Sequence, residues 1–394
     1  MATAIGKRLR FLVLAVIMFG IVVPFEIARA LLLAPFGAHT HAVPSWSRIV
    51  NMRVRIIRQS LSWATWLRTA NLFDWHLAPL LHKKADRVKI QRWSDFDYKV
   101  LLKGSDLRCE ITKEGLGGEV DALWFRPAAG VKVDKKKVLL YIHGGGYVVQ
   151  CYDDPLYYAL TARFAKTFNI DVLSVDYRAS ASEPFPYCLQ DTISAYRYLT
   201  LEKGYKPEDI TIGGDSAGGN LALATIRYLN EYHDVSLGLS LPGRLFLLSP
   251  WTDLTVAGAL DPAAQIKAKT DYVPILMGMT GATQHTGTLP HEYERRKHPY
   301  ISPFFADFTA FKATSLQIHV TYGTAELMDA EIEIFVKKLQ TEVGVDRVNV
   351  CIAEDAVHDH QLVFPELKVS DASFKAQARW FSGGATEASV RVRY

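Results

Sequence analysis

Apolar positions change their period twice along this chain. From Phe11 to Phe25 they form one uninterrupted run. Further on, Ile49, Ile56, Leu61 and Leu67 recur at helical spacing with arginines interleaved. From about Phe96 short β-rich runs alternate with amphipathic stretches. EVDALWFRP, KVLLYIHGGG, IDVLSVDYR, DITIGGDS, LFLLSPW, LQIHVTYG and VNVCIAE read as strands. Between them PLYYALTARFAKTF, CLQDTISAYRYLTLEKG, AGGNLALATIRYLNEY, DAEIEIFVKKLQTEV and SDASFKAQARWFSG read as helices. Parallel strands need helical crossovers, so this alternation predicts an α/β body with a mostly parallel central sheet flanked by helices. In such sheets ligands bind at the carboxyl ends of the strands.

The pattern divides the chain into a hydrophobic leader (1–36), a basic Trp-rich region (37–95), the α/β body (96–383) and a short tail (384–394). The leader's fifteen-residue run, preceded by Lys7, Arg8 and Arg10 and followed by Glu26 and Arg29, falls short of the ~20 residues that span a bilayer. It is read as a single-pass anchor of the endoplasmic reticulum. A cleaved signal with Ala28 and Ala30 as its small residues, leading to secretion, and an apolar helix packed on the body are the alternatives. Basic residues on both sides leave its orientation open. The region 37–95 mixes Trp46, Trp63, Trp66 and Trp75 with arginines, as an interfacial helix pair or a lid over an active site would. Residues 256–299, between two strands, are expected to add to that lid, with Tyr272 lining the pocket or simply packing.

Composition narrows the function. With 394 residues, 49% of them hydrophobic, the chain can bury a large core. Up to Trp93 it carries 14 basic against 3 acidic residues, and 31 against 38 thereafter. A basic, aromatic, apolar front on an acidic body fits an anionic membrane surface and not nucleic acid. Zinc-ligand spacing is missing, and Cys109, Cys151, Cys188 and Cys351 are scattered, as single thiols would be.

Candidate chemistry sits at the predicted strand ends. In TIGGDSAGGNLALA a strand meets a helix at Ser216, with Gly214, Ala217 and Gly218 small enough to allow a tight reversal. A lone G-x-S-x-G also reads as a plain glycine turn. A second turn, HGGG at His143 to Gly146, removes that reading: amides of Gly144 and Gly145, with Ala217, could face a developing oxyanion.

Together HGGGYV, VDYR with PFP and Asp191, GGDSAGGNLALA, LLSPWTDLT and YISPFFADF resemble the hormone-sensitive-lipase-like branch of the α/β-hydrolases, which includes arylacetamide deacetylases and fungal steryl-acetate hydrolases. The resemblance runs from about Lys137 to Phe381. It implies an α/β-hydrolase fold with a helical lid and a Ser–acid–His triad in that order, needing no metal or organic cofactor. EDAVHDHQLVF offers His358 as the base, with His360 as the alternative. TYGTAELMDAEIEIF places Glu326 at the acid position, with Asp329 as the alternative in the first turn of a helix. Gln150, Cys151, Ala181 and Ser182 depart from the family pattern.

The implied activity is a serine carboxylesterase that cleaves short acyl esters of hydrophobic small molecules. A lipase, amidase or acyltransferase with the same triad, or a membrane-associated scaffold that retains the fold, are the rivals. The sequence is silent on oligomeric state.

Overall fold

The computed structural model describes residues 13–32, 43–67, 86–101, 112–127, 137–148, 152–180, 183–287, 296–383 and 389–393. Its strands are β1 (Asp86–Gln91), β2 (Glu119–Phe125), β3 (Val138–Ile142), β4 (Asp171–Val175), β5 (Ile210–Asp215), β6 (Arg244–Leu248), β7 (Gln317–Gly323), β8 (Val348–Ala353) and β9 (Ser389–Val392). They form one sheet in the order β1-β2-β4-β3-β5-β6-β7-β8-β9. β1 and β2 pair antiparallel to their neighbours and the rest are parallel. The strands legible as apolar runs are the inner ones: every residue of β3, β4 and β5 is buried. The sheet itself reaches beyond residues 96–383 on both sides: β1 joins its edge ahead of residue 96, and β9 pairs with β8 within the segment 384–394.

The main helices are α1 (Val23–Leu32), α2 (Arg48–Trp66), α3 (Pro155–Phe168), α4 (Tyr187–Arg197), α5 (Ser216–Glu231), α6 (Ile275–Thr286), α7 (Asp329–Glu342) and α8 (Lys368–Phe381). Strand side chains alternate between two cores. Val138, Leu140 and Ile142 face one built with α4, α5 and α7, including Leu221, Ile193 and Phe335. Leu139 and Tyr141 face another built with α3 and α8, including Phe164, Phe374 and Phe381. Local signals start the helices where expected. Asp154 caps α3, accepting from the amides of Leu156 and Tyr157 at 2.7 and 2.9 Å ahead of Pro155, and Ser47 caps α2 by accepting from Val50.

The leader packs against α2. Leu14, Met18 and Val22, one turn apart, meet Ala64, with Ile56 and Trp63 alongside, and a π-helical segment (Met18–Val22) leads into α1. The Glu26 carboxylate is buried and lies 3.7 Å from Arg55 of α2, which answers the charge that interrupts the apolar run. Val16, Phe19, Ile21 and Phe25 face outward. Among the described residues no helix is long and apolar enough to cross a membrane.

Two buried thiols, Cys188 and Cys351, are free. Cys109, Cys151, Gln150, Ala181, Ser182 and Trp75 lie outside the described residues.

Candidate active site

β5 ends at Asp215 and α5 begins at the next residue, Ser216, whose φ of 50° lies in the left-handed region. The reversal works because Gly218 sits against the Ile142 and His143 carbonyls, where a Cβ would collide with both. Ser216 therefore stands at the positive end of α5, half-buried, and opens on a cavity of about 380 Å³. The walls are mainly apolar. Ile57 and Leu61 come from α2, Tyr272 and Val273 from the 256–299 insertion, Met277 from α6, and Trp251 from the turn after β6. The 256–299 insertion is tied to α2: Arg58 donates to the carbonyls of Ala268 and Asp271 at 2.7 and 3.1 Å. Tyr272 is both wall and packing, its ring centroid 6.1 Å from that of His358.

His358 lies in the loop after β8 and Glu326 in the turn after β7, next to each other as sheet neighbours allow. His358 Nδ1 donates to Glu326 Oε2 at 2.8 Å. Glu326 is fully buried, and its other oxygen accepts from the Gly323 amide at 2.7 Å and the Ser249 hydroxyl at 3.1 Å. Burial pushes the Glu326 carboxyl upward, against the His358 hydrogen bond, which favours its ionised form. His358 Nε2 meets Asp359 Oδ2 at 3.0 Å. Burial alone would lower the imidazole pKa; the charges of Asp359 and Glu326 override it and hold it well above the ordinary value.

Of the paired candidates, the structure brings Glu326 and His358 together and takes the others elsewhere. Asp329 stands in the first turn of α7, accepts from the Ala330 amide and pairs with Lys267 at 2.9 Å. His360 Nε2 bonds Ser373 of α8 at 2.9 Å, and burial drops its pKa to about 3.

One expected donor is misplaced. The Gly144 amide points inward, donating to Asp215 Oδ1 and the Tyr157 hydroxyl, each at 3.0 Å, so it has no free N–H for an oxyanion. Gly145 and Gly146, with φ of 102° and 63°, line the cavity instead. Ala217 follows Ser216 in the first turn of α5, where helix amides lack intrahelical acceptors. The third glycine of HGGG was the available signal for Gly146.

Other partners were not singled out from the sequence as site residues. Asp271, in the insertion, accepts the Leu327 and His358 amides on its two oxygens at 2.8 and 3.2 Å. Ser249, at φ 38°, links Glu326 to the Asp359 amide, which donates to its hydroxyl at 3.2 Å. Asp191 is structural: its buried carboxylate receives two 2.8 Å bonds from the Arg178 guanidinium and one from Arg92.

The sequence profile of the α/β hydrolase fold family matches residues 139–362. An acetyl-hydrolase of Streptomyces hygroscopicus is 31% identical over 201 residues, 51% of this chain and 61% of that protein. The arylacetamide deacetylase of Oryctolagus cuniculus is 37% identical over 109 residues, 26% of this chain and 27% of the relative. The chain thus spans less than two thirds of these relatives' length. Among solved structures, an esterase from the bacterial hormone-sensitive lipase family superposes with a TM-score of 0.60 at 21% identity, over 86% of this chain and 99% of that one. The chain belongs to the α/β-hydrolase fold family, as its HGGG and GDSAGG motifs implied.

Proposed function

We propose that this protein is a serine carboxylic ester hydrolase acting on short acyl esters of hydrophobic small molecules. The observation that carries the reading is the Glu326–His358 hydrogen bond at 2.8 Å, with His358 and the strained Ser216 opening on one apolar cavity. Ser216 Oγ attacks the ester carbonyl carbon and passes its proton to His358 Nε2. Amides of Gly145, Gly146 and Ala217 hold the oxyanion. The tetrahedral adduct then collapses, the alcohol leaves with the His358 proton, and an acyl-serine remains. Water, deprotonated by His358, attacks that acyl group and releases the acid and free Ser216. Glu326 stabilises the imidazolium formed in each half.

Substrate class follows from the walls and from the names of the relatives, an acetyl-hydrolase and an arylacetamide deacetylase. A cavity whose exposed lining is mainly apolar favours an apolar alcohol portion. The outward row of Val16, Phe19, Ile21 and Phe25 supports attachment to a membrane surface through the leader, where such esters partition. Flotation with anionic liposomes, with Phe19→Asp and Phe25→Asp abolishing it, tests that attachment.

The deciding experiment is hydrolysis of p-nitrophenyl acetate, butyrate, octanoate and palmitate by the purified protein beside Ser216→Ala. Turnover that favours short chains and vanishes in the variant is expected. Palmitate preference would assign a lipase, and turnover independent of Ser216 would sink the mechanism. Product analysis with an arylacetamide or an added alcohol separates amide cleavage and acyl transfer.

A further inference from the structure

The histidine loop sets a second acid against the imidazole. Asp359 Oδ2 lies 3.0 Å from His358 Nε2, on the edge of the ring opposite Glu326. That nitrogen is the one that must receive the Ser216 proton. Asp359 is firmly seated: its backbone holds φ of 43°, its amide is bonded to Ser249, and it is 6% exposed.

Behind it stands a third acid, Asp215, the residue before the serine, which lines the same small buried space as Asp359. The hydroxyls of Tyr141 and Tyr157 each donate to Asp215 at 2.6 Å, and the Gly144 amide adds a third bond. Burial raises the Asp215 pKa to about 8, against the two tyrosine bonds, and two neighbouring acids in a buried site retain one proton between them.

We propose that Asp359 is a positioning residue that gates the base: it holds the protonated His358 Nε2 at rest and sets the pH at which that nitrogen is freed for Ser216. This role rests on the Ser216–His358 assignment above. The proton balance is simple. As pH rises through its midpoint the doubly protonated imidazole gives its Nε2 proton to water, and the Asp359 carboxylate keeps its charge. His358 is then neutral, with Nδ1–H on Glu326 and a lone pair on Nε2.

The groups around His358 are accounted for. Glu326 comes from the turn after β7, Asp271 from the lid, Asp215 from the end of β5, and Asp359 and His360 from its own loop. Tyr272 of the lid and Tyr141 of β3 face the same acids. Against burial, which lowers the imidazole pKa, Asp359 is the leading influence that raises it. Removing its charge therefore moves the titration of the base downward.

The test is the pH profile of kcat/KM on p-nitrophenyl acetate for the wild type, Asp359→Asn and Asp359→Gly, with Ser216→Ala in parallel. Asn and Gly both suit the left-handed backbone at this position. The expected result is a midpoint lower by about one pH unit or more in both variants, so that a unit below the wild-type midpoint the active fraction rises several-fold. A residue that merely packs would change kcat and leave the midpoint in place, and unchanged midpoints beside an inactive Ser216→Ala overturn the proposal alone. An active Ser216→Ala overturns the underlying assignment as well. The same titration is read without turnover by NMR of 13C-labelled histidine in Ser216→Ala, with and without Asp359→Asn, His358→Gln identifying the signal. A downward shift supports the gate, and coincident titrations overturn it.

Discussion

Asp271 receives the backbone amide of His358 on one carboxylate oxygen and that of Leu327 on the other. One residue of the insertion thereby fixes both loops, those that carry His358 and Glu326, while Arg58 of α2 holds the Asp271 carbonyl from the far side. Asp271→Ala strands three buried amides, those of Leu327, His358 and Tyr272, which costs about 1–3 kcal/mol for each unsatisfied group. The reacting groups would also shift, and small displacements of that kind lower rates on the order of 100-fold. Asp271→Asn retains one accepting oxygen and should fall between the two. Ester kinetics together with thermal unfolding of all three proteins check this, and wild-type kcat/KM in Asp271→Ala would refute it.

Legibility followed burial and sequence distance. The inner strands announced themselves because a strand covered on both faces is an unbroken apolar run, as in VLLYI of β3. β1, DRVKIQ, did not, because it is an edge strand with only Ile90 buried, and β9, SVRV, is short with only Val392 buried. Ser216 was readable from its glycines, since the tight turn demands them. His358 and Glu326 were readable only as members of pairs, because which of two neighbouring residues points into the cavity depends on loop torsions. The Gly144 assignment failed for a physical reason: the Asp215 carboxylate and the Tyr157 hydroxyl claim its amide, a contact between distant segments. Asp271, 87 residues from His358, was invisible for the same reason.

The serine turn tolerates no added carbon at Gly218. A Cβ there would stand 2.5 Å from the His143 carbonyl oxygen and nearer still to that of Ile142, both rigid backbone at the end of β3. Overpacking of this kind costs about 1–3 kcal/mol or more, and the displaced α5 would carry Ser216 with it. Gly218→Ala is expected to unfold at a clearly lower temperature and to lose most ester turnover. Gly204→Ala is the control: φ there is also positive, at 70°, but nothing lies within 4 Å of an added Cβ. It should retain activity with a loss of about 1 kcal/mol. Equal melting temperatures for Gly218→Ala and the wild type would show that helix and strand are not locked together.

Glu331 gives stability a pH dependence of predictable sign. Its buried carboxyl accepts from the Thr252 amide at 3.0 Å, the Thr252 hydroxyl at 2.6 Å and the Asp253 amide at 2.9 Å, all on one oxygen. Burial raises its pKa to about 8, against the Thr252 bonds. The folded state therefore keeps a proton that the unfolded chain releases near the ordinary value of 4.5. The stabilisation from that group is complete at low pH and is lost as pH rises through about 8. Glutamine reproduces the neutral acid. Glu331→Gln should match the wild-type melting temperature near pH 5 and exceed it by a growing margin toward pH 8. A constant offset, or one of opposite slope, would show that the carboxyl is ionised in the fold.

Leu61 offers the last test, because α2 touches both the leader and the cavity. Its Ala64 and Trp63 meet the leader, while Ile57 and Leu61 form cavity wall. Leu61→Trp would add an aromatic body inside a space of about 380 Å³ without disturbing Ser216, His358 or the glycine amides. A short acyl ester still fits, whereas a longer chain meets the indole. Even one methylene of misfit in an apolar pocket is worth about 10–200-fold in kcat/KM. Hydrolysis of p-nitrophenyl octanoate should therefore drop by about tenfold or more while acetate stays within roughly twofold of wild type. Parallel losses on both esters would mean that α2 supports the catalytic loops and does not shape the acyl pocket. A loss confined to the longer ester ties chain-length choice to the helix on which the leader rests.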